Sequence, residues 1–211
     1  MELTLFYTGV LVPSFIILPI LVALYKIKIW KAPERLSFFY LLLSGVFNIV
    51  SYITAKNDVN NLSLLHLYTV LEFWLLSAFF RSVFTSLRLK KVITVAMVIF
   101  PVLAGVYILL TDSLMSYNPL PRFLGGLILA SYCVYFLFQD LNRLDQDHSM
   151  FSFTVVVGLL LYFSSSLILF ALPELIREDL ALNSLIWIIY ATFVLLMYVC
   201  FGIAFIKLKK Q

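Results

Sequence analysis

Seven runs of about 20 apolar residues, joined by connections of ten residues or fewer, leave this chain one class of fold. Each run is long enough to cross ~30 Å of hydrocarbon as a helix. They fall at about 3–25, 36–55, 62–84, 92–111, 120–140, 151–172 and 183–206. The expectation is an all-α polytopic membrane bundle of seven transmembrane helices forming a single domain over residues 1–211. Charged residues are 12% of the chain, about half the ~25% of a soluble domain, and the mean hydropathy of +1.04 agrees. No connection has room for a soluble domain, so the helices themselves must carry the function.

The basic residues orient such a bundle. Lys26, Lys28, Lys31, Arg35, Arg81, Arg88, Lys90, Lys91, Arg143, Lys207, Lys209 and Lys210 fall on one side. Only Lys56, Arg122 and Arg177 fall on the other. Basic residues near span ends are retained in the cytoplasm, which predicts the N-terminus outside and the C-terminus inside. The same placement accounts for the net charge of +4, so no nucleic-acid partner is expected. No basic stretch precedes the first apolar run, so that run is expected as a retained helix rather than a signal peptide. The expected location is the bacterial inner membrane, with membrane lipid as the immediate surroundings.

Polar residues within the spans form stripes. Tyr40, Ser44, Asn48, Ser51 and Tyr52 recur at three- and four-residue steps in the second span. The third holds His66, Tyr68, Thr69 and Glu72, the fifth Ser131, Tyr132, Tyr135 and Gln139. The sixth holds Thr154, Gly158, Tyr162, Ser165 and Ser166, the seventh Asn183, Trp187, Tyr190 and Tyr198. The fourth has little beyond Thr94 and Tyr107, which predicts the most lipid-exposed helix. Helix packing accounts for such stripes as well as a cavity does, since small hydroxyl residues bond across membrane helices at ~0.6 kcal/mol each.

Depth favours a cavity. Glu72, the one acidic residue in the middle of any span, lies ten residues into its helix, ~15 Å down at 1.5 Å per residue. A charge there costs at least ~2.5–3.5 kcal/mol, so it is expected to face a partner or a cavity. Asn48, His66, Tyr68, Ser166, Trp187 and Tyr190 come out in the same outer half, with Tyr162 at the centre. No lysine or arginine shares the depth of Glu72, so Tyr68, Asn48, Tyr162 and His66 are its expected neighbours, without an ion pair. The candidate ligand-binding set is Glu72, His66, Tyr68, Asn48, Tyr162, Ser166, Trp187 and Tyr190.

Other chemistries lack their residues. The last span has no lysine before Lys207 for a retinal Schiff base. Two histidines, one of them the loop residue His148, exclude a His-rich zinc site or a bis-histidine haem. Neither a G-x-S-x-G elbow nor a phosphate-cradling glycine loop is present. Cys133 and Cys200 lie within spans and read as packing residues. No cofactor, metal or catalytic residue is expected. A faint echo, Asn61-x6-Tyr68 against Asn183-x6-Tyr190 and Ser37-Phe38 against Ser152-Phe153, suggests three-plus-one-plus-three helices.

The segments Asn61-Leu-Ser-Leu-Leu-His66-Leu-Tyr68-Thr-Val-Leu-Glu72-Phe73 and Tyr162-Phe-Ser-Ser-Ser-Leu-Ile-Leu-Phe170 resemble a family of small seven-span bacterial membrane proteins. That family carries an N-x-L-x-H-x-Y-x-x-x-E-F-like motif and a Y-F-S-x-S stretch. Here one more residue separates Asn61 from His66. The resemblance covers most of the chain and implies Asn61, His66, Tyr68, Glu72 and Tyr162 as matching positions, with no activity attached. The favoured expectation is a non-enzymatic protein that binds a small or amphipathic ligand in an outward-facing cavity and signals to a cytoplasmic or membrane partner. A small-solute transporter and a lipid-modifying membrane enzyme are the alternatives.

Overall fold

In a computed structural model the described residues include seven helices, each long and apolar enough to span a membrane. Residues 2–111, 119–141, 149–171 and 180–209 are described, with side chains from Thr4 onward except that of Leu180. Arg143, His148, Arg177 and Lys210 lie outside these residues. The helices are α1 (Thr4–Tyr25), α2 (Ala32–Lys56), α3 (Leu62–Val83), α4 (Leu87–Leu110), α5 (Leu120–Leu141), α6 (Met150–Ala171) and α7 (Leu180–Lys207). Most expected bounds hold within a few residues. The exception is α4, which starts five residues early because Ser86 Oγ accepts from Leu89 N–H and caps it.

Local chemistry sets the other helix starts. Pro33 occupies the first turn of α2, where its missing N–H has no helical partner to lose. Three residues past the N-cap, the Glu34 carboxylate accepts the Lys31 N–H at 2.8 Å. Asn60 Oδ1 accepts the Leu62 N–H at 2.9 Å and opens α3, which leaves the neighbouring Asn61 side chain for other use. Helix α1 is broken in the way its prolines demand. A wide π turn runs over Tyr7–Leu11, Pro13 follows, and regular helix resumes at Ile17 before Pro19. Proline removes the bond to the carbonyl four residues back, and a locally wider turn accommodates its ring.

Six helices close a ring in the order α1, α2, α3, α5, α6, α7, with α4 outside it against α3. Its Phe100 ring lies 4.0 Å from that of Phe73 and reaches Gly125 of α5. Helix α6 is the most enclosed, and the close passage of α7 explains its glycine. A Cβ on Gly158 would sit 2.8 Å from the Cys200 Cβ. Helix α4, expected to be the most lipid-exposed, lies outside the ring; 22% of its most apolar window is buried, against 17% for α1. Helix α1 packs on α7 and α2, and part of its surface, at Thr8, Val12 and Pro13, lines the cavity described below rather than a neighbouring helix.

The two ends of the bundle differ. Trp30, Phe38, Phe79, Phe80, Phe84, Phe136, Phe151, Phe201 and Phe205 fill the end away from the N-terminus. Their rings stack and meet edge to face, as in Phe80–Tyr132 at 5.6 Å and Phe151–Phe205 at 5.0 Å. Lipid tails are as apolar as these side chains, so close packing rather than water exclusion holds that half together. The end carrying the N-terminus is not packed solid.

Candidate functional site

At that end the inward face of α3 presents His66, Thr69, Glu72, Phe73 and Leu76, all buried at three- and four-residue steps. Glu72 is the hub. Its Oε1 accepts from the hydroxyls of Tyr40 at 3.2 Å, Tyr68 at 3.0 Å and Tyr162 at 3.0 Å. Its Oε2 meets Arg122 Nη1 at 3.3 Å. Tyr68 lies one turn before Glu72 on the same helix, whereas Tyr40 comes from α2, Tyr162 from α6 and Arg122 from α5. One carboxylate thus joins four helices.

Arg122 is equally held. Nη1 also donates to Thr69 Oγ1 at 3.4 Å, and Nη2 to the Tyr162 hydroxyl at 2.7 Å. The guanidinium carbon lies 5.2 Å from the Tyr68 ring centre and 5.0 Å from that of Phe170, where a cation is attracted to the ring face. Nε is buried with no hydrogen-bond partner. Four donors and no competing acceptor surround the Glu72 oxygens, an arrangement suited to an ionised carboxylate opposite a guanidinium. The hydroxyls of Tyr68 and Tyr162 spend their protons on Glu72. Ser44, 3.0 Å from Tyr68, then donates to it, just as Arg122 donates to Tyr162.

This pair corrects the expectation that no cation could reach Glu72. The depth count treated Arg122 as a surface residue because it begins a span. In fact Arg122 lies in the first turn of α5, which packs on α3. Its long side chain runs inward between Tyr68 and Phe170 instead of out to the interface, and both charges are buried. The signal was present in the sequence: Arg122 falls inside the apolar run Leu120–Leu129, not in the loop before it. An arginine and a glutamate buried in apolar helices each need a partner, and that need pointed to the pair.

Above the pair lies a cavity of about 330 Å³. Thr8, Val12 and Pro13 of α1 form one wall, and Tyr40, Ser44, Phe47, Asn48 and Ser51 of α2 the next. Asn61, Leu65 and Tyr68 come from α3 and the turn before it, Arg122 from α5 and Tyr162 from α6. Helix α7 contributes Trp187, Tyr190, Val194, Met197 and Tyr198. The aromatic groups pack on one another, with Trp187 and Tyr190 edge to face at 5.8 Å and Tyr190 6.0 Å from Tyr162.

Of the eight candidate ligand-binding residues, five stand on the cavity wall: Asn48, Tyr68, Tyr162, Trp187 and Tyr190. Glu72 sits behind the tyrosines. His66 and Ser166 are buried but not on the wall, because their positions turn them to helix contacts. The α2 stripe converges as its spacing implies, except that Tyr52 faces outward, 55% exposed. Ser131 and Tyr135 of α5 face outward too, whereas Tyr198, expected deeper, is on the wall. Tyr40, Arg122 and Tyr198 are among the wall residues that the candidate set lacks. Among the described residues, no three His, Cys, Asp or Glu side chains gather as a metal site.

No family model, no curated protein and no solved structure matches this chain.

Proposed function

We propose that this multi-pass membrane protein binds a small or amphipathic ligand in the cavity above the Glu72–Arg122 pair and relays its occupancy to a cytoplasmic or membrane partner. The observation that carries the reading is the position of the pair. A cavity of about 330 Å³ with both polar and apolar lining, at the low end of the ~300–1,000 Å³ usual for ligand sites, has its floor made by a cluster joining α2, α3, α5 and α6. A ligand touching Tyr68, Tyr162 or Arg122 therefore acts on four helices at once. The basic-residue bias supports placing the N-terminus and the cavity mouth outside, in a bacterial inner membrane. The aromatic packing of the opposite half supports relay over passage.

Transport is the second reading, favoured by one feature: the broken helix α1, with its π turn at Tyr7–Leu11, forms a wall of the cavity. A cysteine at Ser37, sealed in the aromatic half, separates the two. Labelling of Ser37→Cys by an impermeant thiol reagent from the side opposite the mouth supports an alternating cavity, and protection supports relay.

The ligand reading is tested by what the purified protein retains. Ala191 is buried on the cavity wall, and Ala191→Phe fills the space. Extraction and mass spectrometry should find a small molecule with the parent and not with Ala191→Phe. Equal retention by both, or none by the parent, refutes ligand binding at this cavity.

A further inference from the structure

We infer that the ligand is an amphipathic anion, a monoanionic oxyacid head on an alkyl body, with its head read by Arg122. This rests on the cavity being a ligand site and goes further by fixing the charge the site accepts.

Among the described residues, Arg122 is the one charged side chain on the cavity wall. Its counter-ion Glu72 is set back behind the Tyr40, Tyr68 and Tyr162 hydroxyls, so the pair is a dipole with its positive end toward the void. Burial makes that orientation count, because neither charge is screened by solvent as surface charges are. The Glu72 oxygens already take four donors, which leaves little capacity for a ligand ammonium. The guanidinium has donor capacity to spare. Three of its five N–H groups are accounted for by Thr69, Glu72 and Tyr162, while Nε–H is buried without an acceptor. Nε has no exposed surface, so the second Nη2 N–H is the donor left for a carboxylate or phosphate oxygen. Asn48 and Asn61 add amide donors to the same wall.

Much of the remaining wall is apolar. Val12, Phe47, Leu65 and Val194 face the void from four helices, so an alkyl body can lie along them while the head meets Arg122. The volume suits a head and a short chain rather than a whole two-chain lipid. Glu72 is on this account a positioning residue, orienting the fork without touching the ligand.

Trp187 on the wall gives the readout. With Trp30→Phe and Trp74→Phe as background, Trp187 is the sole indole. The full chain is placed in phosphatidylcholine nanodiscs and titrated with decanoate, decanol and decyltrimethylammonium. Decanoate should shift Trp187 emission saturably, at a midpoint at least tenfold lower than either neutral or cationic analogue. Arg122→Gln should raise the decanoate midpoint at least tenfold, and Arg122→Lys, which keeps the charge but not the fork, should fall between. Acetate and phosphatidylglycerol nanodiscs separate the sources. Competition by acetate places recognition in the head alone, and competition by phosphatidylglycerol identifies a lipid head group. Equal or tighter binding of decyltrimethylammonium or decanol overturns the anion assignment while leaving the cavity a ligand site. Silence of all three probes overturns the anion assignment as well, and the Ala191→Phe extraction then decides the fate of the ligand reading separately. The three-probe comparison on the parent needs no Arg122 variant, so it stands even where Arg122→Gln fails to fold.

Discussion

Removing Arg122 alone should destabilise the bundle more than removing Arg122 and Glu72 together. At the observed 3.3 Å the pair attracts by about 5 kcal/mol at an effective dielectric constant near 20, before desolvation is counted. Breaking a buried pair from one side costs ~3–5 kcal/mol, because the remaining charge keeps its desolvation and loses its partner. Arg122→Gln leaves the Glu72 carboxylate with three tyrosine hydroxyls and no counter-ion. The low end, ~3 kcal/mol, is expected here, since chains unfolded within a bilayer also find polar partners. Glu72→Gln strands the guanidinium and should cost a similar amount. In Glu72→Gln/Arg122→Gln two neutral amides face each other among the same hydroxyls, and the loss should shrink to ~1–2 kcal/mol, with a coupling of at least ~2 kcal/mol. Reversible unfolding in mixed micelles, followed by circular dichroism across the four variants, measures each term. A double variant as unstable as the sum of the singles, or an Arg122→Gln loss below ~1 kcal/mol, refutes the ion pair as the tie between α3 and α5.

Three further outcomes follow from the same geometry. Gly158→Ala should cost ~1–3 kcal/mol, because its new Cβ meets the rigid Cys200 Cβ at 2.8 Å, whereas Gly125→Ala meets the Phe100 ring, which can turn, and should cost less; thermal unfolding of the two variants compares them, and the reverse order refutes the argument. A cysteine at Asn48 should react with an impermeant thiol reagent from the cavity side, while one at the buried Ser166 should not, in a background lacking Cys133 and Cys200; equal labelling would remove the distinction between wall and helix contact. Reporters fused to the two ends should show the N-terminus outside and the C-terminus in the cytoplasm, and finding both on one side contradicts the orientation drawn from the basic residues.

The architecture was legible because its signals are long. A run of about 20 apolar residues has one reading, and seven such runs yield seven helices with bounds that caps then adjust by a few residues. The α2 stripe and the Tyr68–Glu72 pair were legible because helical period fixes which residues share a face. Arg122 escaped the depth count because that count ranks Cα atoms, whereas an arginine carries its charge several bonds away. A first-turn arginine whose side chain lies inward therefore meets a glutamate ten residues into its neighbour. His66 and Ser166 show the complementary failure. Each is near the right level, but an angular offset around the helix axis turns it from the void to a neighbour. Inclusion on the cavity wall needs both coordinates, and the rotation of a helix within a bundle is set by packing that one sequence does not display.

The tyrosines around Glu72 explain why its carboxylate is a poor ligand group and a good structural hub. Were it open to the void, a buried anion would select cations. With Tyr40, Tyr68 and Tyr162 donating to one oxygen and Arg122 to the other, its charge is spent within the protein. What faces the void is then the side of the cluster that Glu72 does not consume. That side comprises the outer part of the guanidinium, the lone pairs of the donating tyrosine hydroxyls and the wall amides of Asn48 and Asn61. Any ligand that draws Arg122 toward itself lengthens the 3.3 Å contact to Glu72 and loosens the bond to Tyr162 together, because one rigid guanidinium makes both. On the proposed reading, relay would begin as a change in how α5 and α6 are held to α3. Because interdigitated rings fill the half below, that reading calls for helix movement rather than side-chain adjustment to reach the opposite face.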